Sequence, residues 1–371
     1  MPNYQNTKLI SASSFFAFLT ILLLGAACSE TSKKQPTEEA YSIQGNTQGT
    51  TYSIISNDDR LLDLKPEIDA ILLDFDRCLS SYRDSSIVSI FSHAEAGLYH
   101  FKDIQGYFTR CFELSETVYQ ISEGAFDPSI YPLVAAWGFM KNPALEMSEE
   151  QVDSVKNLIG FQANRDYVFS LPEIHDKHQL IKFSLEKIRP SLKLDFNAIA
   201  QGLSVDVLCE FLDEKGFENY FVEIGGELRV KGTNKDGEFW RIGIDVADES
   251  NAVDPNERVL QSIISVNNRA VATSGNYRKF YEKDGIKRSH TIDPKTGYPV
   301  QHSLLSATVV ADNAAFADAM ATVFMVWGTE KTIDFVNSNP QYNLDVLLQF
   351  INQKGEMSTY TSPGMREITL Q

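Results

Sequence analysis

The stretch Ala314–Trp327 constrains this chain more than any other. Phe316, Met320, Val323, Phe324 and Trp327 recur at helical spacing and form one apolar stripe. The opposite side is apolar as well, with Ala315, Ala321, Met325 and Val326. Such a helix has no face for water and belongs in the interior, so the rest of the chain must cover it on all sides. Gly328 supplies its stop. Asp318 and Thr322 interrupt it one turn apart on one side. A buried carboxylate is costly unless it is paired or bound to a cation. Two readings follow. Asp318 pairs with a basic side chain while Thr322 bonds the preceding turn. Alternatively, the two hard oxygens hold Mg²⁺.

The chain is long enough to enclose such a helix. Its 371 residues allow one large domain or two ordinary ones, and 43% hydrophobic with 22% charged residues is ordinary globular composition. A formal charge of −17 argues against general nucleic-acid binding, which needs clustered positive charge. Amphipathic helix spacing runs through Ile68, Ile71, Leu72, Phe75 and Leu79, and again from Phe108 to Tyr119. Asp195 to Phe217 reads as a helix behind a capping Asp or Asn, ended by Gly216. Strand-like runs are Tyr52–Ser56, Tyr167–Phe169, Ile181–Leu185, Tyr220–Ile224, Leu228–Val230, Trp240–Val246, Ser262–Val266 and Ser306–Val310. Helices and strands alternate irregularly, which predicts an α+β fold in a single mixed α/β domain; the helix Ala314–Trp327 reads as its last.

The N-terminus reads as an address. Lys8 precedes an apolar run, Phe15 to Leu24, that ends in Gly25, Ala26, Ala27 and Cys28. The run is short for a membrane span. A Cys directly after small residues resembles a lipobox, although Leu24 stands four rather than three positions before it. The expected division is a signal peptide over 1–27, a lipidated Cys28 with a polar tether over 28–40, and the folded domain over 41–371; simple secretion is the alternative. Cys78, Cys111 and Cys209 remain, so at least one thiol is free, and Cys78 and Cys209 sit in apolar helical patterns as small buried hydrophobes.

Chemistry is concentrated in separated segments. Asp195 stands before small residues in Leu194–Gly202, where free helical N–H groups suit an anion and the carboxylate either caps the helix or accepts from a heterocycle or ribose. Gly124-Ala125-Phe126-Asp127-Pro128 is a turn with an aromatic beside a carboxylate. Glu223-Ile224-Gly225-Gly226-Glu227 is either a hairpin turn or a place where a ligand meets backbone. A loop rich in Pro and Gly carries His290, a residue type suited to proton transfer near neutral pH.

In order and approximate spacing these segments resemble the ApbE-type flavin transferases, the FAD:protein FMN transferases. The resemblance runs from about Gly45 to Gly328. It rests on Gly49–Tyr52, Ser80–Arg83, Gly124–Pro128 with Trp137–Phe139, Asp195–Gly202, Val222–Glu227, Ala270–Tyr277, Ser289–Val300 and Ala317–Thr322. It implies a reaction in which FAD and a protein Thr or Ser give phosphoester-linked FMN and AMP, with Mg²⁺. It also implies that Gln48, Tyr82, Ala125, Phe126, Asp127, Asp195, Gln201 and Ile292 line an FAD site. Asp318, Thr322 and the Ala198 carbonyl would hold the metal, and His290 would act in catalysis as base, acid or transient nucleophile. Gln48 stands where many members have Met, and Ala198 where many have Gly. The implied clients are membrane redox subunits such as those of NADH or ferredoxin oxidoreductases, reached by a lipid-anchored protein on the periplasmic or other extracytoplasmic side. An FAD pyrophosphatase and a non-catalytic flavin-binding lipoprotein stay open as alternatives.

Overall fold

The computed structural model describes residues 39–139, 147–171, 180–248, 259–276, 280–283, 286–289 and 291–370. The expected signal peptide, Cys28, most of the expected tether and His290 lie outside them. In chain order the elements are β1 (Tyr41–Thr47), β2 (Thr50–Ser56), α1 (Lys65–Leu79), α2 (Ile87–His93), β3 (Gly97–Ile104), α3 (Tyr107–Ile121), α4 (Tyr131–Ala136) and α5 (Glu149–Lys156). Then come β4 (Tyr167–Ser170), β5 (Leu180–Lys187), α6 (Ala200–Glu214), β6 (Tyr220–Ile224), β7 (Glu227–Lys231), β8 (Trp240–Asp245) and β9 (Leu260–Val266). The remainder is β10 (Ala270–Gly275), β11 (Phe280–Lys283), β12 (Ile286–Ser289), β13 (Leu304–Ala311), α7 (Ala314–Trp327), α8 (Thr329–Ser338), β14 (Asp345–Ile351), β15 (Met357–Thr361) and α9 (Pro363–Ile368).

The expected α+β architecture is what forms. An eight-stranded sheet runs β1-β2-β6-β7-β10-β13-β14-β15, and every neighbouring pair is antiparallel. Residue alternation shows that both faces are covered. On one face Ala272, Val309 and Ala311 pack in a core with Ala315, Met320, Val323 and Phe324 of α7. On the other, Val271 and Val310 pack with Trp240, Ile242 and Ile264 of the β8–β9 ribbon and with Met365 of α9. The small sheet β3-β5-β4 and α3 extend the first core with stacked aromatics, among them Phe108 and Phe183 at 4.8 Å between ring centres. The central helix α7 is thereby enclosed, as its all-apolar surface requires.

The helix Ala314–Trp327 has the expected bounds, but it is not the last: α8 and α9 follow it. The helix expected from Asp195 starts later, at Ala200. Asp195 accepts from the Asn197 N–H at 2.9 Å, closing a two-residue turn instead of capping the helix. Cys78, Cys111 and Cys209 are buried and form no disulfide among the described residues. Among the described residues no helix is long and apolar enough to cross a membrane.

Close packing of α6 on α7 fixes the interior. A Cβ built on Gly202 would lie 2.3 Å from the Ala314 carbonyl oxygen and 2.8 Å from the Ala315 Cα. Both are backbone atoms of the helix start and cannot turn aside. Gly202→Ala is therefore expected to destabilise by roughly 1–3 kcal/mol through overpacking. Thermal unfolding checks this, and an unchanged melting temperature would show that the two helices part without cost.

Candidate active site

A cleft of about 1860 Å³ opens between the tip of the β1–β2 hairpin, α1, the Gly124–Pro128 turn, the start of α6, the β6–β7 turn, β10 and α7. All eleven described residues expected to hold cofactor or metal line it: Gln48, Tyr82, Ala125, Phe126, Asp127, Asp195, Ala198, Gln201, Ile292, Asp318 and Thr322. They come from segments spread over most of the domain.

Asp318 sits on α7 with 6% exposure. Its Oδ2 accepts the Gly202 N–H at 3.2 Å. Burial pushes its pKa up to about 7, and the Gly202 bond opposes that only in part. Among the described residues no basic side chain forms an ion pair with it, so the reading in which Asp318 pairs with Lys or Arg finds no support there. Thr322 lies one turn further on, its Oγ1 3.5 Å from Ser274 Oγ of β10. Among the described residues no group of three His, Cys, Asp or Glu converges on a metal position. A cation here would meet one carboxylate and neutral oxygens. That donor set fits a hard ion such as Mg²⁺ and is a poor match for zinc or iron.

Asp127 and Asp195 form a second acidic pair of segments. The Asp195 N–H donates to the Pro128 carbonyl at 2.7 Å, which ties the two turns together. Asp127 Oδ1 accepts from the Ser129 N–H at 2.8 Å and the Ser129 hydroxyl at 2.6 Å. Burial raises its pKa to about 6 against those bonds, and burial raises that of Asp195 too. Asp318, Asp127 and Asp195 are thus nearly buried carboxylates in the cleft, each destabilised in its charged form.

Positive backbone dihedrals shape two rims. Gln48 (φ +49°) and Gly49 (φ +76°) form the β1–β2 turn, and the buried Gln48 Nε2 has no hydrogen-bond partner among the described residues. Gly225 (φ +64°) and Gly226 (φ +111°) form the β6–β7 turn, where a Cβ on Gly225 would come 2.7 Å from Gln201 Nε2. Of the two open readings of Glu223–Glu227, the hairpin turn is what forms, and Gly225 and Glu227 line the cleft. Tyr82 is 70% exposed at the mouth. Ile292 is buried against Leu133, Trp137 and Val152, which anchors its loop.

Sequence reasoning missed two features. Lys65 and Asp69 line the cleft, with Lys65 Nζ 2.7 Å from Asp69 Oδ2 and the Tyr52 hydroxyl donating to Asp69 Oδ1 at 2.6 Å. In sequence they look like an ordinary helical ion pair. Asp206 of α6 is the other. It is 3% exposed and accepts the Ala314 and Ala315 N–H groups at 3.0 and 2.9 Å and Arg229 Nη1 at 2.9 Å. A carboxylate between Val205 and Val207 was the available signal.

Comparison with known proteins places this geometry. The ApbE family model matches residues 48–348. The FAD:protein FMN transferase of Vibrio cholerae serotype O1 is 34% identical, over 86% of this chain and 90% of that protein. That of Haemophilus influenzae is 32% identical, over 93% of this chain and 94% of its own length. The solved flavin transferase ApbE from Vibrio cholerae superposes with a TM-score of 0.71 at 31% identity, covering 89% of this chain and 99% of that one. The apo flavinyl transferase ApbE of Pseudomonas stutzeri gives 0.73 at 30%, covering 89% and 96%. With the family model matching most of the chain and relatives more than 30% identical over most of their length, the chain belongs to the ApbE family.

Proposed function

We propose that this protein transfers FMN from FAD to a Thr or Ser hydroxyl of a client protein. The observation that carries the reading is the convergence of eleven expected residues on one cleft in a chain of this family. In the reaction the client oxygen attacks the phosphorus on the FMN side of the FAD diphosphate. A P–O bond forms there, the bond to the AMP phosphate breaks, and AMP leaves. The hydroxyl gives up its proton.

The chain's own groups have distinct tasks. Asp127 and Asp195, held by Ser129, Pro128 and Asn197, accept hydrogen bonds from N–H or hydroxyl groups of the nucleotide. Gln48 brings a buried donor with no described protein partner. Tyr82 offers an aromatic face at the mouth, and Gln201 a polar amide behind the Gly225 turn. Asp318, Thr322 and the Ala198 carbonyl would hold Mg²⁺, which when bound offsets the charge that develops on diphosphate oxygens. His290 is assigned to the proton, as base to the hydroxyl, as acid to AMP, or as a transient nucleophile. Placement follows from the N-terminal reading. Cys28 carries lipid, and the domain works on the extracytoplasmic side, with exported subunits of membrane redox complexes as clients.

Protein beginning at Ser29 mixed with FAD, Mg²⁺ and an exported redox subunit carrying an acceptor Thr should yield a fluorescent flavin band on that subunit in a denaturing gel. The band should disappear with EDTA, with Asp318→Ala and with acceptor Thr→Val. A band that survives all three would refute the assignment.

A further inference from the structure

We infer that the outer edge of β1 is the docking strand for the flavin-accepting protein: an extended segment of the client adds to the sheet beside β1, which carries its hydroxyl into the cleft. The inference rests on the transferase reading above. It starts from the position of β1 at one end of the eight-stranded sheet, paired with β2 over all seven residues and, among the described residues, with no strand on its other side.

The turn fixes which backbone groups face outward. Thr47 pairs with Thr50 across Gln48 and Gly49, both with positive φ, as in a two-residue type I′ hairpin. Hydrogen-bonded pairs then fall at Thr47/Thr50, Gly45/Tyr52, Ile43/Ile54 and Tyr41/Ser56, because bonded and non-bonded pairs alternate in an antiparallel ladder. The N–H and C=O groups of Ser42, Gln44 and Asn46 therefore point away from β2. No described residue hydrogen-bonds to them there. They form a row of donors and acceptors roughly 13 Å long. Ser42, Gln44 and Asn46 are themselves exposed.

Natural edges are guarded by charges, prolines or bulges. Over Tyr41–Thr47 there is no Asp, Glu, Lys, Arg or Pro, and the register with β2 has no shift. The opposite edge strand, β15, contributes no residue to the cleft, whereas Gly45, Asn46 and Thr47 line it. Of the two sheet edges, then, only the β1 edge runs into the cleft where the diphosphate would react. Strand addition reads an extended backbone more than a particular sequence, with side-chain pockets adding choice.

The test uses proline at an outward-facing amide. Gln44→Pro removes an N–H that the β1–β2 ladder does not use, so the hairpin is retained. With the exported subunit that wild type labels, Gln44→Pro should raise the client KM or lower the transfer rate at least tenfold. FAD affinity should stay unchanged, and Gln44→Ala should stay within twofold of wild type. Transfer by Gln44→Pro at the wild-type rate overturns the inference. Should Gln44→Pro fail to bind FAD, Ser42→Pro carries the same comparison farther from the cleft. Amide hydrogen exchange gives an independent reading. Adding client should slow exchange at Ser42, Gln44 and Asn46, and no change there overturns the inference. Slow exchange without client that grows with enzyme concentration would assign the edge to a second copy of this chain and overturn it equally. A wild type that labels no client removes the transferase reading, and this inference with it.

Discussion

Asp318→Asn is expected to stabilise the metal-free protein above neutral pH while reducing metal-dependent flavin transfer roughly a thousandfold, because a metal-held charge is worth several kcal/mol in such a site. The stability half follows from burial. The carboxyl's folded pKa of about 7 lies well above its ordinary value of 3.8. For an acid raised in this way the unfolded chain ionises first. Stability therefore falls as pH rises from about 4 to about 7, and above that the charged group carries its full cost. Linkage sets that cost on the order of 4 kcal/mol. Asn keeps an acceptor for the Gly202 N–H and removes the charge. Melting at pH 8 in EDTA should thus rise by several degrees in the variant, with little difference at pH 4. Saturating Mg²⁺ should raise the wild-type melting temperature at pH 8 and leave the variant unmoved. A variant less stable than wild type at pH 8 would mean that Asp318 has a stabilising partner in the free protein.

Asp206→Ala should cause the largest loss of stability. This carboxylate joins three things: the first two N–H groups of α7, the α6 helix on which it stands, and Arg229 of β7. Asn313 caps the next amide, accepting from the Phe316 N–H at 2.9 Å. Removing Asp206 leaves two buried amides unbonded and a half-buried guanidinium uncompensated, a loss of roughly 3–5 kcal/mol. The melting temperature should fall by roughly 5 °C. Arg229→Met in the same background should recover part of the loss, since no charge is then left alone. Activity should fall as well, because α7 carries Asp318 and Thr322 and its first turn would loosen. A melting temperature within a degree of wild type would show that water reaches and satisfies these groups.

Legibility in the sequence followed the kind of signal. The all-apolar pattern of Ala314–Trp327 gave both the helix bounds and its central place, because burial on every side leaves no alternative pattern. Eight strands, β2, β4–β9 and β13, are readable as short runs, whereas β1, β3, β10–β12, β14 and β15 are not. The convergence of the cleft residues came from the ordered motifs, since spacing alone does not bring Gln48, Asp127 and Asp318 together. Local competition was not legible. Asp195 looked like a helix cap, yet its carboxylate bonds the Asn197 amide and the helix waits until Ala200. Asp206 carried no motif, because its partners lie on α7 and β7, elements distant in sequence. The edge strand β1 is polar, and only its pairing with β2 reveals it.

The central claim is that one FAD is split and its FMN half is delivered to protein. The most direct measurement counts both products of a single reaction, AMP in solution and flavin covalently bound to client, under saturating FAD and Mg²⁺. The account predicts one AMP for each flavin attached and almost no AMP when the client is absent or lacks its acceptor hydroxyl. AMP released in large excess over attached flavin, at a rate indifferent to the client, would contradict it and make the protein an FAD pyrophosphatase.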